Sequence, residues 1–336
     1  MTVSGRTRLA LFFLSPRLID FDSYLPIAME LKQQRPHWDI RFVTFSAANY
    51  DFILKNQTLM AGLSDCGQIH YGGSTPLDGR PNVFLRAFRR VKELLRISIW
   101  IMKRPGAILF HGRHFSDGPY MGWYLLNRVM WGKSVILARS RLIDQGMHEM
   151  FRRRFSAINE TENLLDRTLG RSADALIHYH DQQALYIKSL GKSGAISNLP
   201  KLRLGAPNDL PAWRALIARQ SEAEKSQLIP DEWSTAEIFT FFATKAFSSS
   251  ELRTSESVEH TTWSILNRLS EAKPEAVILL RPHPLAMDEP YLRNILYDLN
   301  NPRIVMTLAH PEVLIRLARR TIVNAPTNIL FTSPEG

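Results

Sequence analysis

Three short stretches in the C-terminal part of the chain carry residues suited to an anionic ligand: Lys245 in FFATKAFSSSEL, Arg281-Pro282-His283-Pro284 in AVILLRPHPLAM, and Thr327-Asn328 in NAPTNILF. Pro282 and Pro284 fix φ on either side of His283, so its imidazole is presented beside the Arg281 guanidinium at little entropic cost. Both groups can donate hydrogen bonds to phosphate oxygens, and Lys245 adds a compact charge. Thr327 and Asn328 follow Pro326 and suit the first turn of a helix, whose open N–H groups attract an anion. Each stretch also has a plainer reading: a loop histidine bonded to a neighbour, a solvated lysine, a threonine that is only an N-cap. Candidate bases occur near the N-terminus and in the middle of the chain. SPRLIDFDS contains Asp20 and Asp22, and HGRHFSDG contains His114 and Asp117. A carboxylate or imidazole in a cleft can take the proton of an attacking hydroxyl, although Asp22 can equally cap a helix.

These residues acquire a common setting from the apolar runs before them. Ala276–Leu280 reads as a strand buried on both faces and stopped by the two prolines; 238–243 and 321–323 read as strands as well. Ligands of open α/β sheets bind at the carboxyl ends of strands, so these three strands are expected side by side, with Lys245, His283 and Thr327 converging beyond them. Upstream, strands are expected at 9–14, 39–45, 107–111, 134–138, 174–179 and 201–204, and helices at 22–34, 47–54, 83–103, 121–131 and 181–190. Residues 62–81, rich in Gly and Pro, read as irregular. Asp20 and Asp22 then lie in the loop after the first strand, with Asp22 or Ser23 as the cap of the next helix. Regular alternation of strand and helix implies parallel sheets. The resulting fold class is α/β with two Rossmann-like doubly wound domains: residues 1–207, a polar helical linker at 208–235, and residues 236–336.

The 336 residues include 42 Lys+Arg against 32 Asp+Glu, a net charge of +10, so anionic partners are favoured. Much of the excess falls in one helix, 83–103, where Arg86, Arg89, Arg90, Lys92, Arg96 and Lys103 face a single acid, Glu93. Phe84, Phe88, Val91 and Leu95 are expected to pack on the sheet, leaving Arg86, Arg89, Arg90 and Arg96 to meet solvent or an anionic membrane. Nucleic acid is not expected, because no known binding module accompanies the charge. No apolar run is long enough to span a bilayer, and Leu9–Leu14 lacks the cleavage site of a signal peptide. The single cysteine, Cys66, leaves no intrachain disulfide and fits a reducing cytoplasm. No cofactor or metal is expected. The chain lacks G-x-G-x-x-G, P-loop and G-x-S-x-G motifs, His178 and His180 have no third ligand at suitable spacing, and Asp20-Phe21-Asp22 follows the first strand, an unsuitable position for a metal-binding D-x-D.

With its basic residue and His-Pro after a buried strand (Arg281, His283, Pro284), and its hydroxyl-bearing loop at a later helix start (Thr327, Asn328), the chain resembles the GT-B glycosyltransferases of bacterial surface-polysaccharide assembly. That group includes sialyl-, polysialyl- and Kdo-transferases, with related nucleotide-sugar epimerases. The resemblance implies two Rossmann-like domains facing a cleft, the C-terminal one binding a nucleotide-sugar donor. It further implies a donor-phosphate set of Lys245, Arg281, His283, Thr327 and Asn328. In the N-terminal domain it implies a glycan or lipid-linked acceptor near Asp20, His114 and Asp117, and catalysis by Asp22 and His283 without metal. Members of that group continue through a further helix and strand where this sequence stops at Gly336, so an abbreviated C-terminal domain is expected. An epimerase on the same scaffold, a catalytically incomplete member and a non-enzymatic anion- or membrane-surface-binding protein are the rival readings.

Overall fold

The computed structural model describes residues 7–14, 18–73, 83–112, 119–137, 173–179, 199–243, 255–282 and 290–323. The chain divides into two compact units: residues 1–55 with 59–214, and residues 56–58 with 215–336. The division falls inside a helix.

In the first unit the described elements run β1 (Leu9–Leu14), α1 (Leu18–Gln34), β2 (Asp39–Thr44), α2 (Ala47–Lys55), α3 (Gln57–Cys66), β3 (Gln68–Tyr71), α4 (Val83–Lys103), β4 (Ile108–His111), α5 (Pro119–Val129), β5 (Lys133–Leu137), β6 (Ala175–His178) and β7 (Lys201–Arg203). The strands form a parallel sheet in the order β3-β2-β1-β4-β5-β6-β7. All six residues of β1 are buried, as its continuous apolar sequence requires of a central strand covered on both faces. Phe12 stacks between Phe42 and Phe110, with centroids 5.0 and 4.4 Å away, and locks the three central strands together on one face. On the other face Phe13 stacks on Trp123 of α5 at 5.1 Å.

Several expectations are corrected. Helix α1 starts at Leu18, so Asp20 and Asp22 are helical rather than loop residues and Asp22 is not the cap. The cap-forming residues Asp22 and Ser23 suggested a later start, yet the extra turn buries Phe21 edge-on against Phe42, and the helix accommodates Pro26 in its interior. The region read as irregular contains the end of α3 and the edge strand β3, whose half-exposed residues leave little apolar pattern to read.

The largest correction concerns α4. Its extent is as expected, but its faces are reversed: Ile97 and Ile101 are buried in the sheet's core with Leu94 and Trp100 against them, whereas Phe84, Phe88, Val91 and Leu95 are exposed. The helix carries two apolar stripes, and the sheet meets the one formed by 94, 97 and 101. Spacing alone could not choose between them.

The second unit contains most of α6 (Pro211–Leu228), then β8 (Ile238–Ala243), α7 (Ser255–Ala272), β9 (Val277–Pro282), α8 (Pro290–Leu299), β10 (Ile304–Met306), α9 (Pro311–Leu317) and β11 (Arg320–Val323). These strands are also parallel, in the order β10-β9-β8-β11. Helix α6 buries Ala212, Trp213, Leu216 and Ile217, but the same face continues through buried Ser221 and Glu224, which hides its periodicity. Residues 56–58 join this unit through polar contacts: Thr58 donates to Glu224 Oε1 at 2.7 Å and Asn56 to the Leu308 carbonyl at 3.3 Å. Burial pushes the Glu224 carboxyl up, against the lowering effects of the Thr58 bond and nearby His310.

Candidate active site

In each sheet the strand order reverses at one place, and a crevice opens there between neighbouring carboxyl ends. For the four-stranded sheet this place lies between β8 and β11, with β9 on the other side of β8. The pairing Val323↔Phe242 and Ala243↔Pro282 brings the ends of β11, β8 and β9 to one edge. The three strands expected side by side are therefore adjacent. Lys245, His283 and the pair Thr327-Asn328 lie outside the described residues; along the chain they follow Ala243, Pro282 and Val323, the last residues of these strands.

Arg281 is described. Strand β9 runs through Arg281 and Pro282 instead of stopping at Leu280. The proline is tolerated because β10 ends opposite Leu280, so beyond that point the neighbour is β8 alone and no second ladder calls for its missing N–H. Arg281 is buried: Nε donates to the Ala309 carbonyl at 2.9 Å, and the guanidinium carbon lies 6.0 Å from the centre of the Phe242 ring. It thus ties the end of β9 to the segment that enters α9, where His310 Nδ1 accepts from the Glu312 N–H at 3.3 Å. A buried cation beneath this edge raises its positive potential as well as fixing its shape.

The seven-stranded sheet reverses between β1 and β4. Asp20 and Tyr24, one turn apart on α1, face this edge and are both buried. Tyr24 packs so closely on the backbone of Gly112, just after β4, that a Cβ there would overlap the phenol oxygen; the same Cβ would lie 3.6 Å from Asp20 Oδ2. Only glycine permits this approach. His111, the last residue of β4, is buried and stacks on Tyr120 with centroids 4.3 Å apart. Tyr179 follows β6; burial, and secondarily the Asp20 charge, push its phenol well above the ordinary value, so it keeps its proton. A carboxylate, an imidazole and two phenols are gathered at one edge.

Of the residues singled out for this unit, Asp20 belongs to the cluster. Asp22, two positions on, is about 200° around the helix and half-buried on another side. His114 and Asp117 lie outside the described residues. Sequence reasoning missed Tyr24, His111 and Tyr179; the signals were the i, i+4 spacing of Asp20 and Tyr24 and the polar ending of two otherwise apolar strands. A surface groove lined by Trp233, Glu237, Lys273 and Arg303 opens at the amino edge of the four-stranded sheet, the end opposite to that where ligands of such sheets bind. Among the described residues no group of three or more His, Cys, Asp or Glu could hold a metal ion.

No sequence-family profile matches the chain, and no curated protein does. Solved structures are similar in fold. Phytolacca americana UGT2, complexed with UDP-2-fluoro-glucose and pterostilbene, matches at a TM-score of 0.52 and 9% identity over 98% of this chain and 78% of that one. A UDP-glucose:anthocyanidin 3-O-glucosyltransferase in complex with UDP matches at 0.51 and 10% identity, covering 98% and 79%. The UDP-N-acetylglucosamine 2-epimerase from Rickettsia bellii matches at 0.50 and 11% identity, covering 96% and 75%. The likeness establishes the fold, two Rossmann-like domains of the GT-B type.

Proposed function

We propose that the chain is a metal-independent glycosyltransferase that moves a sugar from a nucleotide-activated donor to a surface-polysaccharide or lipid-linked glycan acceptor in the cytoplasm. The observation that carries this reading is the adjacency of β9, β8 and β11, after which the chain supplies His283, Lys245 and Thr327-Asn328 in turn. In this reading residues 236–336 bind the donor and residues 1–207 the acceptor. Asp20, the acid that faces the carboxyl edge, removes the proton of the acceptor hydroxyl in place of Asp22, which lies on another side of α1; His114 and Asp117 help hold the acceptor. The hydroxyl oxygen bonds to the anomeric carbon as the bond from that carbon to the donor phosphate oxygen breaks, and the bonding pair stays on the phosphate. Lys245, Arg281, His283 and the N–H groups near Thr327 and Asn328 stabilise that developing charge, the role a metal would otherwise fill.

The similar structures support this choice of reaction through their fold, and two of them were solved with UDP or a UDP-sugar. The test is thermal shift with CMP, CDP, UMP, UDP, GDP and ADP, followed by product analysis with the matching nucleotide sugar. A nucleotide that binds only the folded state should stabilise it by about 2.7 kcal/mol at a hundredfold excess over Kd. Release of nucleotide that depends on added acceptor supports glycosyl transfer. A rearranged sugar formed without acceptor would assign an epimerase, and no stabilisation by any of the six would refute donor binding.

A further inference from the structure

The outward face of α4 presents Phe84, Phe88, Val91, Leu95 and Met102, with Phe84 83% and Phe88 68% exposed. At 100° per residue these five positions fall within a sector of about 60°, so they form one continuous stripe along the helix. A soluble surface rarely exposes so many large apolar groups in a row. The opposite face is committed: Ile97 and Ile101 are buried in the sheet's core, and the Trp123 indole N–H donates to the Leu94 carbonyl at 3.4 Å. The stripe is therefore held rigidly outward.

Its borders identify what covers it. Glu93, the single acid of the helix, is paired with Arg96 at 2.5 Å on another side of the helix, and exposed Lys92 and Lys103 lie within about 60° of the stripe's edge as a cationic margin. An apolar stripe edged by cations is complementary to acyl chains bordered by anionic headgroups. A neutral protein groove would match the stripe but not the margin. No described helix is long and apolar enough to cross a membrane, so α4 would lie in the surface plane. Because α4 leads into the start of the parallel strand β4, it runs antiparallel to the sheet. Its phenylalanine end therefore lies at the same end of the unit as the strand carboxyl ends that carry Asp20, His111 and Tyr179.

We propose that α4 docks the first unit on an anionic bilayer by inserting Phe84, Phe88, Val91, Leu95 and Met102 among the lipids, holding the carboxyl edge of the seven-stranded sheet close to the membrane surface. An acceptor carried on a lipid would then reach that edge without leaving the bilayer. The docking itself requires neither donor nor acceptor, so it can be tested, and can fail, independently of the glycosyltransferase reading.

The experiment is sedimentation of the full chain with vesicles of phosphatidylglycerol and phosphatidylcholine, and with phosphatidylcholine alone, at low and high salt. The expected result is binding to the anionic vesicles, weakened by salt. It should be weakened at least roughly tenfold in Phe84→Ser/Phe88→Ser/Leu95→Ser, whose Tm should stay at the wild-type value because the three side chains are exposed. Lys92→Gln/Lys103→Gln should lose binding at low salt too. Unchanged binding by the serine variant would overturn the proposal. So would a large fall in its Tm, which would show the stripe to be packed within the fold, or a wild-type dimer in sedimentation velocity that the serine substitutions dissolve, which would assign the stripe to a second copy of the chain.

Discussion

At the carboxyl edge of the four-stranded sheet, the candidate residues follow their strands directly in the chain: Arg281 and Pro282 close β9 and His283 is next, while Lys245 comes two residues after β8. At the edge of the seven-stranded sheet the chemistry is assembled from distant parts. Asp20 and Tyr24 come from α1, His111 and Gly112 from the end of β4, and Tyr179 from beyond β6. A site written along strand ends can be read as a motif, because each polar residue comes soon after its strand in the sequence. A site made by side chains meeting across elements depends on which face of a helix turns inward, and Asp20 and Asp22 differ in just that respect.

The comparison would break first at Asp20. Asp20→Asn should lower turnover by about 10²- to 10⁴-fold, the range for loss of a general base, with nucleotide-induced stabilisation unchanged because the proposed donor set belongs to the other unit. Asp22→Asn should stay within a few-fold of wild type. The reverse ranking, measured as kcat under saturating donor and acceptor, would return the base to Asp22 and make the buried cluster structural.

A smaller effect is expected where distant segments supply structure rather than chemistry. Thr58→Val removes the donor to buried Glu224 and should cost about 1–3 kcal/mol, read as a lower midpoint in urea unfolding, with kcat unaltered in the folded protein. No change in midpoint would show that residues 56–58 are not bound into the second unit by this contact.

The smallest expected effect is a pH dependence in the first unit. His70 on β3 stacks on Trp100 of α4 with centroids 4.6 Å apart. Burial, then the charges of Arg96 and Arg41, hold its pKa down at about 4. The unfolded chain takes up this proton near pH 6.5 and the folded one near 4, so the contribution of His70 is fully present above pH 6.5 and declines as pH falls towards 4. Between pH 7.5 and 5 the wild-type Tm should fall further than that of His70→Phe. Parallel falls in the two proteins would contradict a neutral, packed imidazole.

Legibility followed the physical basis of each signal. Continuous apolar runs gave β1 and β8 within a residue, since a strand buried on both faces has no polar alternation to confuse. The length of α4 was legible from its composition, but its orientation was not. Two stripes compete on that helix, and the sheet's demand for Ile97 and Ile101 is a tertiary fact. The edge strand β3 was hidden because half-exposed residues carry no pattern, and the buried face of α6 was hidden because Ser221 and Glu224 continue it in polar form. Tyr24, His111 and Tyr179 were missed for a third reason: the spacing and strand endings that mark them are common in any α/β sequence, and their significance arises from the reversal of strand order between β1 and β4.

The most direct test of the central claim is His283→Ala, assayed for both turnover and Tm with the nucleotide sugar identified by thermal shift. Loss of one donor to a developing phosphate charge typically costs about 3–4 kcal/mol, so turnover should fall roughly a hundredfold to a thousandfold with Tm close to wild type. Near-normal turnover in the folded fraction, accompanied by a large fall in Tm, would contradict the claim and make the Arg-Pro-His-Pro stretch a structural element.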